Sequence, residues 1–202
     1  PHVTAMFEAD FSAIIAHRSA HKVAFGNDGA NLTFTPYFVA ASVEAMKAAP
    51  AVNGRWFEDH IEIYDDINVG IGTALGEKGL IVPVIHRAQT LSLLETARRL
   101  TEVTEKARAG TLAPADVRNG TFSISNHGVS GSLVASPIII NQPQSAILGI
   151  GKLQKRAVVC ETNGSGAIEI RPMAYVTLTI DHRVIDAFQT NAWLTRFVES
   201  LQ

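Results

Sequence analysis

Residues 175–186 of the chain read YVTLTIDHRVID, an apolar run that leads directly into a cluster of charged side chains. The alternation of large apolar and β-branched residues predicts a strand that ends near position 180. Downstream, the spacing of Phe188, Trp193 and Phe197 predicts an amphipathic helix over residues 186–201, with these aromatic residues on its buried side. The segment therefore predicts a strand-to-helix junction that presents polar groups at the end of a sheet.

His182 is the candidate acid or base in this junction, because histidine is the side chain that ordinarily titrates closest to neutral pH. Asp186, four positions later, is expected either to orient His182 or to cap the following helix. A salt-bridge cluster without any catalytic role would give the same residues. On composition alone, that structural interpretation is the more common one.

A second polar cluster occupies residues 123–128, SISNHG, where a predicted strand over 121–126 opens into a loop. Ser125 or Asn126 could donate a hydrogen bond to an oxyanion there. Taken alone, the cluster is better explained as a strand end with turn-forming residues. The loop that follows, 127–144, is rich in Gly, Ser and Pro yet contains three consecutive isoleucines, so we expect it to be buried and to line a site.

Composition narrows the function classes. The 202 residues are 47% hydrophobic and 18% charged, with 17 Lys and Arg against 19 Asp and Glu. A net charge of −2 gives no general attraction to nucleic acid or to anionic membranes. The single cysteine, Cys160, excludes an intrachain disulfide framework and a cysteine-rich metal site. We therefore expect a soluble, non-secreted globular chain without a metal centre.

The remaining patterns predict a mixed arrangement of helices and strands. Predicted helices cover residues 10–25, 35–49 with Thr35 as its cap, and 92–109 with Thr90 or Ser92 as its cap and Gly110 at its end; predicted strands cover 61–64, 68–75, 79–85, 145–150, 156–161 and 167–180, with a break near Pro172 and a hairpin turn at 162–166. These elements do not follow a strict βαβ rhythm. The fold class expected is α/β with a mixed sheet and flanking helices, in one domain over residues 1–202.

The two polar clusters together resemble a known family. Residues 181–186, DHRVID, are similar to the D-H-R-x-x-D-G signature of the dihydrolipoamide acyltransferases, the core subunits of 2-oxo acid dehydrogenase complexes. Four further blocks match motifs of that family in the same order: PHVT at 1–4, GLIVPVI at 79–85, GTFSISN at 120–126 and PIIINQPQ at 137–144. The resemblance extends from residue 1 to the end of the chain.

The resemblance implies a fold, an assembly and a reaction. The catalytic domain of this family is similar to chloramphenicol acetyltransferase and forms homotrimers with active sites between subunits. The trimers assemble into cubic or dodecahedral cores, which work with 2-oxo acid dehydrogenase and dihydrolipoamide dehydrogenase components in the bacterial cytoplasm or the mitochondrial matrix. An acyl group passes from a lipoamide arm, carried on a separate lipoyl domain, to coenzyme A, without a metal.

The resemblance also assigns roles to residues. His182 is implied as the general base, Ser125 as the hydroxyl that stabilises the oxyanion, and Asp186 as the acidic member of the signature. Further residues are expected along the substrate and coenzyme A channel: Asn126, Gly128, Gly131, Ser132, Asn141 and Gln144.

Three departures from the family pattern stand out. Ala187 replaces the signature glycine, which is expected to restrict the backbone after Asp186, and the usual N-P-P-Q reads NQPQ at 141–144. Lipoyl and subunit-binding domains are not recognised, nor is the start of the catalytic domain. Segments 128–133, 144–149 and 171–173 look most like the succinyl-transferring branch, with acetyl and branched-chain acyl transfer as alternatives.

Two other functions are compatible with the residues. One is a hydrolase that uses Ser125, His182 and Asp186 as a nucleophilic triad, which would form an acyl-serine and would not need coenzyme A. The other is a scaffold that keeps the core fold without transfer, for which Ala187 provides some support.

Overall fold

The computed structural model describes residues 1–162 and 165–202. Its helices are α1 (Ser12–Asn27), α2 (Thr35–Ala48), α3 (Leu93–Ala109) and α4 (Ala187–Glu199). Its strands are β1 (His2–Asp10), β2 (Gly54–Trp56), β3 (Ile61–Ile63), β4 (Val69–Ile71), β5 (Thr73–Ala74), β6 (Leu80–Ile81), β7 (Val84–Ile85), β8 (Phe122–Asn126), β9 (Ala146–Ile150), β10 (Gln154–Thr162) and β11 (Ser165–Asp181). Among the described residues, no helix combines the length and the apolar character needed to cross a membrane.

The main sheet is mixed, as the sequence predicts. Its strand order is β1-β11-β9-β8-β4-β7, and β10 also pairs with β11. Strand β8 runs parallel to β9 and to β4, whereas the other pairs of this sheet are antiparallel. Two short ribbons, β2–β3 and β5–β6, lie outside it.

One face of the main sheet carries the hydrophobic core. Alternate residues of β11 (Val176, Leu178, Ile180) are fully buried on this face, where α4 contacts β1 and β11 and α2 packs between α4 and α3. Trp193 of α4 is completely buried, with its ring centroid 5.2 Å from that of Phe197 and 5.5 Å from that of Phe122. These buried apolar contacts supply most of the driving force for folding.

The opposite face is covered by a loop instead of helices. The hydroxyl of Thr177 donates to the Ala135 carbonyl at 3.3 Å, and the Ile138 amide donates to the Thr179 hydroxyl at 3.2 Å. Gly149 belongs to the neighbouring strand β9, and a Cβ built there would lie 2.5 Å from the Ile138 side chain of the loop. The loop therefore approaches the sheet closely only because residue 149 has no side chain.

The helix predicted over 92–109 is confirmed with its caps. Ser92 is the N-cap: its hydroxyl accepts from the Glu95 amide, and the Glu95 carboxylate accepts from the Ser92 amide at 2.8 Å. Gly110 ends the helix with a φ of 71°. The strand predictions at 61–64, 121–126, 145–150 and 156–161 are also confirmed.

Several local predictions are wrong. Strand β1 precedes α1, which begins at Ser12 rather than at residue 10, and the predicted strands 68–75 and 79–85 are each divided in two. Thr35 does not cap α2, because Phe34 occupies the cap position and makes no side-chain cap. The central residues of the predicted turn at 162–166 lie outside the described residues.

Pro172 does not interrupt β11. Its carbonyl accepts from the Phe11 amide at 2.8 Å, on the side of β11 where the pairing with β1 ends at Asp10 and Met173. A missing N–H on that side breaks no strand pair, so proline is tolerated.

The prediction that Phe188 lies on the buried side of α4 is wrong, because Phe188 is 81% exposed. It is five residues from Trp193, which corresponds to a rotation of about 140° around a helix. The apolar stripe of α4 is instead formed by Trp193, Leu194 and Phe197.

Candidate active site

Ser125 lies near the end of β8, on the face of the sheet that the loop covers. It pairs with Gly149 of β9 and lines a cavity of about 750 Å³. Most of the wall is apolar, with Leu80, Val82 and Ile138 among its residues. The half-buried Ser125 hydroxyl thus lies beside apolar side chains, where a hydrogen bond to a developing negative charge is stronger than in bulk water.

His182 follows the last residue of β11, and its side chain is exposed. Its backbone amide donates to the Pro1 carbonyl at 3.0 Å, while the amide of the preceding residue, Asp181, donates to the Ser145 carbonyl at 2.8 Å. The main chain is thus held on both sides, and the His182 side chain is exposed to solvent. The sequence prediction of a polar group presented at a strand-to-helix junction is confirmed.

The residues on either side of His182 form an ion pair. The Arg183 guanidinium donates from Nε to Asp181 Oδ1 at 2.9 Å and from Nη2 to Oδ2 at 2.5 Å. Hydrogen bonds from Arg183 hold the pKa of the buried Asp181 carboxyl below its usual range. Asp181 is therefore a charged structural anchor and not a proton donor near neutral pH.

Ser125 and His182 lie at opposite ends of the sheet. Ser125 pairs with Gly149, and Gly149 pairs with Thr177. Asp181, the last residue of β11, lies four residues beyond Thr177, a separation of about 14 Å along the strand, and His182 follows it. The two side chains cannot act on the same atom within one chain, and the triad of the hydrolase hypothesis does not form there.

Asp186 has a visible structural role. Its Oδ1 accepts from the Gln189 amide at 2.9 Å, which makes it the N-cap of α4. Of the two roles open from the sequence, the contact seen is with the helix. Ala187 is the first helical residue and is not among the described residues with positive φ, so the exchange of the signature glycine strains no backbone here.

Gln144 is buried, and its carboxamide is occupied. Its Oε1 accepts from the Ser123 hydroxyl at 2.7 Å, and its Nε2 donates to the Gly120 carbonyl at 3.0 Å. Gln144 is only 4% exposed, and its bond to Ser123 connects the loop to β8. These two bonds make Gln144 a support of the site, and its role in binding substrate stays a prediction.

The other predicted channel residues divide into two groups. Asn126 and Asn141 line the cavity of Ser125, but Gly128, Gly131 and Ser132 are not part of its wall. Gly128 packs against the backbone of Gly151, and the Ser132 hydroxyl donates to the Val134 carbonyl at 3.2 Å, so these residues shape the loop.

A second open cleft, also of about 750 Å³, lies on the other side of the loop segment 141–144. Asn141 and Gln142 line both spaces. Arg55, Tyr64 and Asp66 contribute to the wall of the second cleft. Burial is the main cause that raises the pKa of the Tyr64 hydroxyl, which stays neutral near pH 7. The described residues bring no group of three or more His, Cys, Asp or Glu side chains together as a metal site.

Sequence reasoning missed His127 and Trp56. His127 lines the cavity next to Ser125, and neither buried ring nitrogen has a hydrogen-bond partner of normal geometry. Burial lowers the pKa of its imidazole, an effect that the nearby Ser132 backbone partly opposes. The Trp56 ring covers the Arg183 guanidinium, with 4.0 Å between the guanidinium carbon and the ring centroid. His127 belongs to the polar cluster 123–128 and could be found there, whereas the contact of Trp56 with Arg183 joins segments that are far apart in sequence.

Known proteins place the chain in a family. A model of the family described as 2-oxoacid dehydrogenases acyltransferase (catalytic domain) matches residues 1–202. The chain is 42% identical over 203 residues to the dihydrolipoyllysine-residue succinyltransferase component of the 2-oxoglutarate dehydrogenase complex of Rickettsia felis, a match that covers 99% of this chain and 49% of that protein. The chain thus spans about half the length of this curated relative.

Solved structures agree with this assignment. A crystal structure of a probable dihydrolipoamide acetyltransferase from Listeria monocytogenes superposes with a TM-score of 0.92 at 35% identity and covers 100% of this chain and 84% of that one. Chloramphenicol acetyltransferase shares the fold, with a TM-score of 0.63 at 16% identity over 100% of this chain and 89% of that one. The predicted α/β fold of the chloramphenicol acetyltransferase type is confirmed, and the chain belongs to the acyltransferase catalytic-domain family of the 2-oxoacid dehydrogenases.

Proposed function

We propose that this chain transfers an acyl group, with succinyl as the favoured one, between a dihydrolipoamide thioester and coenzyme A. The observation that carries the proposal is the placement of Ser125 and His182. An exposed imidazole at one end of the sheet and a hydroxyl in an apolar cavity at the other supply the two groups that thioester exchange needs.

Each group has a defined task in this reaction. A thiol with an ordinary pKa of about 8.5 is only partly ionised near pH 7. His182, as general base, therefore removes the proton of the attacking thiol as the sulfur attacks the thioester carbon. The carbonyl oxygen then carries negative charge, and the Ser125 hydroxyl donates a hydrogen bond to it. Collapse of this intermediate expels the other thiolate, which takes up the proton from His182. Both substrates bring their own sulfur, so no nucleophile from the protein is needed.

The separation of the two groups leads us to propose that the site forms between copies of the chain. His182 of one copy would meet Ser125 of a neighbouring copy, and a contact between two different surfaces closes into a ring when it repeats. A homotrimer is the ring that the family resemblance implies. Assembly of trimers into a cubic or dodecahedral core, with 2-oxo acid dehydrogenase, dihydrolipoamide dehydrogenase and lipoyl-domain partners, forms part of the same proposal.

The acyl group is the finer part of the proposal. A succinyltransferase is 42% identical to the chain and an acetyltransferase from Mycobacterium tuberculosis is 39% identical, so identity does not separate the two acyl groups. Succinyl is favoured by the resemblance of segments 128–133 and 144–149 to the succinyl-transferring branch. Acetyl transfer is the second candidate, and one observation favours it: the described residues of this chain that line the Ser125 cavity include no Lys or Arg that would pair with a succinyl carboxylate.

The test is a coenzyme A-dependent assay with succinyl-, acetyl- and isobutyryl-dihydrolipoamide. We expect transfer from one preferred donor, a loss of about 100- to 10,000-fold in kcat for His182→Ala, and a loss of about 100- to 1,000-fold for Ser125→Ala. Normal turnover by His182→Ala would overturn its role. Thioester loss without coenzyme A, with label trapped on Ser125, would instead support the hydrolase.

Mixing the two inactive variants tests whether the site is shared. When His182→Ala and Ser125→Ala chains are co-expressed at equal levels, a site between copies is intact in about one case in four, so about a quarter of the wild-type activity returns. A site within one chain would give no recovery. The control mixes each variant with itself at the same total concentration.

A further inference from the structure

Three side chains next to His182 are in contact with one another: Asp181, Arg183 and Trp56. Asp181 and Arg183, on either side of His182, are joined by three side-chain hydrogen bonds, and the Arg183 backbone amide also donates to Asp181 Oδ1 at 3.0 Å. The side chain of Asp181 is only 8% exposed, whereas that of Arg183 is 40% exposed. The outer side of the guanidinium is covered by Trp56, whose ring centroid lies 4.0 Å away.

Trp56 reaches this position from a separate ribbon. It is the last residue of β2 and pairs with Ile61 of β3. Gly54, two residues earlier, lies so close to β3 that a Cβ would be 2.6 Å from the Glu62 carbonyl oxygen. The Arg55 Nε donates to the Glu62 carboxylate at 2.6 Å. The ribbon is therefore a tightly paired support and not a free loop.

The root of the ribbon is fixed to the rest of the chain. The Asn53 side-chain Nδ2 donates to the Tyr64 and Asp66 backbone carbonyls at 2.9 and 3.1 Å. The Ser145 hydroxyl donates to the carbonyls of residues 51 and 52 at 3.1 and 2.9 Å. Ser145 also accepts the Asp181 amide, so one residue connects the ribbon to the end of β11.

We infer that Trp56 is a positioning residue for His182, which it serves by holding the Arg183 guanidinium against Asp181. This inference rests on the proposed function of His182. An arginine at a partly exposed position has many rotamers, and its pair with a carboxylate is weak where water competes. A flat indole on one side of the guanidinium excludes water and adds a cation–π contact, which fixes Arg183 and, through the short loop, the backbone of His182.

The test compares three variants in the coenzyme A-dependent transfer assay. Trp56→Ala is expected to lower kcat about threefold to tenfold with KM for coenzyme A changed less than about twofold. Trp56→Phe keeps a ring over the guanidinium and is expected to retain most of kcat. Phe57→Ala is the matched control, because Phe57 belongs to the same ribbon but stacks on His60 and Arg55 instead of Arg183.

A double-mutant cycle with Arg183→Lys sharpens the test. Lysine cannot form the two-pronged pair, so Trp56→Ala should cost little further kcat in that background. An unchanged kcat in Trp56→Ala, an equal loss in Phe57→Ala, or additive losses in the cycle would each overturn the inference. If the wild-type chain transferred no acyl group, the proposed function would fail, whereas the same cycle on the free energy of unfolding would still report whether Trp56 acts through Arg183.

Discussion

The two faces of the main sheet are built from different amino acids and serve different ends. On the face under α2 and α4, β11 presents Val176, Leu178 and Ile180, all fully buried. On the other face, the same strand presents Thr177 and Thr179, which bind the backbone of a loop. The first face stabilises the fold by apolar burial, and the second holds a cavity by hydrogen bonds and by close approach at Gly149.

The difference between the two faces shows which of them has room for a substrate. A face packed with large apolar side chains has no room for substrate, whereas a face of hydroxyls and glycines leaves space under an irregular loop. The candidate oxyanion donor, Ser125, lies on the second face. Substitutions on the two faces should therefore separate stability from activity.

The largest effect on stability is expected from the helix-covered face. Trp193→Ala removes a fully buried indole that packs on Phe122 and Phe197. The expected loss is about 3–5 kcal/mol in the free energy of unfolding. Urea denaturation followed by circular dichroism measures it. A loss below about 1 kcal/mol would contradict the role of this face.

A smaller loss of stability, with a larger loss of activity, is expected on the loop-covered face. Gly149→Val places a side chain where Thr177 and Ile138 already lie, and it should cost about 1–3 kcal/mol of stability while lifting the loop from the sheet. We expect acyl transfer to fall by more than the folded fraction accounts for. Full activity per folded chain would show that the close approach is not needed for the cavity. Gly26→Val is a control for adding a side chain, since a Cβ at Gly26 has no neighbour within 4 Å.

A single hydrogen bond to the loop is expected to contribute less. Thr179→Val removes the hydroxyl that accepts the Ile138 amide and that bonds the Thr4 hydroxyl at 2.8 Å. The cost should be about 1 kcal/mol, with faster hydrogen exchange at the Ile138 amide. Thr4→Val keeps the bond to Ile138 and is the matched control, for which exchange at Ile138 should not change.

The smallest expected effect is a pH dependence from His127. Burial lowers the pKa of its imidazole in the folded chain, so the unfolded chain binds the proton more readily. This contribution to stability is fully present above the ordinary histidine pKa of about 6.5 and is lost as the pH falls below it. His127→Leu should flatten the decline of unfolding free energy in this window. An unchanged pH profile would show that the ring is hydrated in solution.

Local signals allowed part of this structure to be predicted from sequence. The capping residues Ser92 and Glu95 and the terminal Gly110 act within a few residues of each other, so α3 could be delimited before folding was considered. Strand β1 was missed because its residues are mostly exposed or half-buried at the edge of the sheet, which weakens the alternating pattern. Phe188 was misplaced because an aromatic residue near an apolar stripe need not lie on it.

The site could be predicted only in part for a related reason. The polar residues of the two clusters stand out as residue types, but the distance between Ser125 and His182 depends on strand order and register, which are set by pairing between distant segments. The contact of Trp56 with Arg183 joins residues far apart in sequence and leaves no periodic trace. The bonds of the Gln144 carboxamide to Ser123 and Gly120 could not be predicted either, because they depend on how the loop folds onto β8.

The placement of Ser125 and His182 at opposite ends of one sheet has a genetic consequence under the proposed arrangement. A chain that lacks one of these groups would inactivate one site in a ring of three, but a chain that lacks both would inactivate two, one with each neighbour. A cell that expresses such a doubly defective copy alongside the intact one would lose more activity than the share of defective chains. The allele would therefore behave as dominant, although the chain folds and assembles normally.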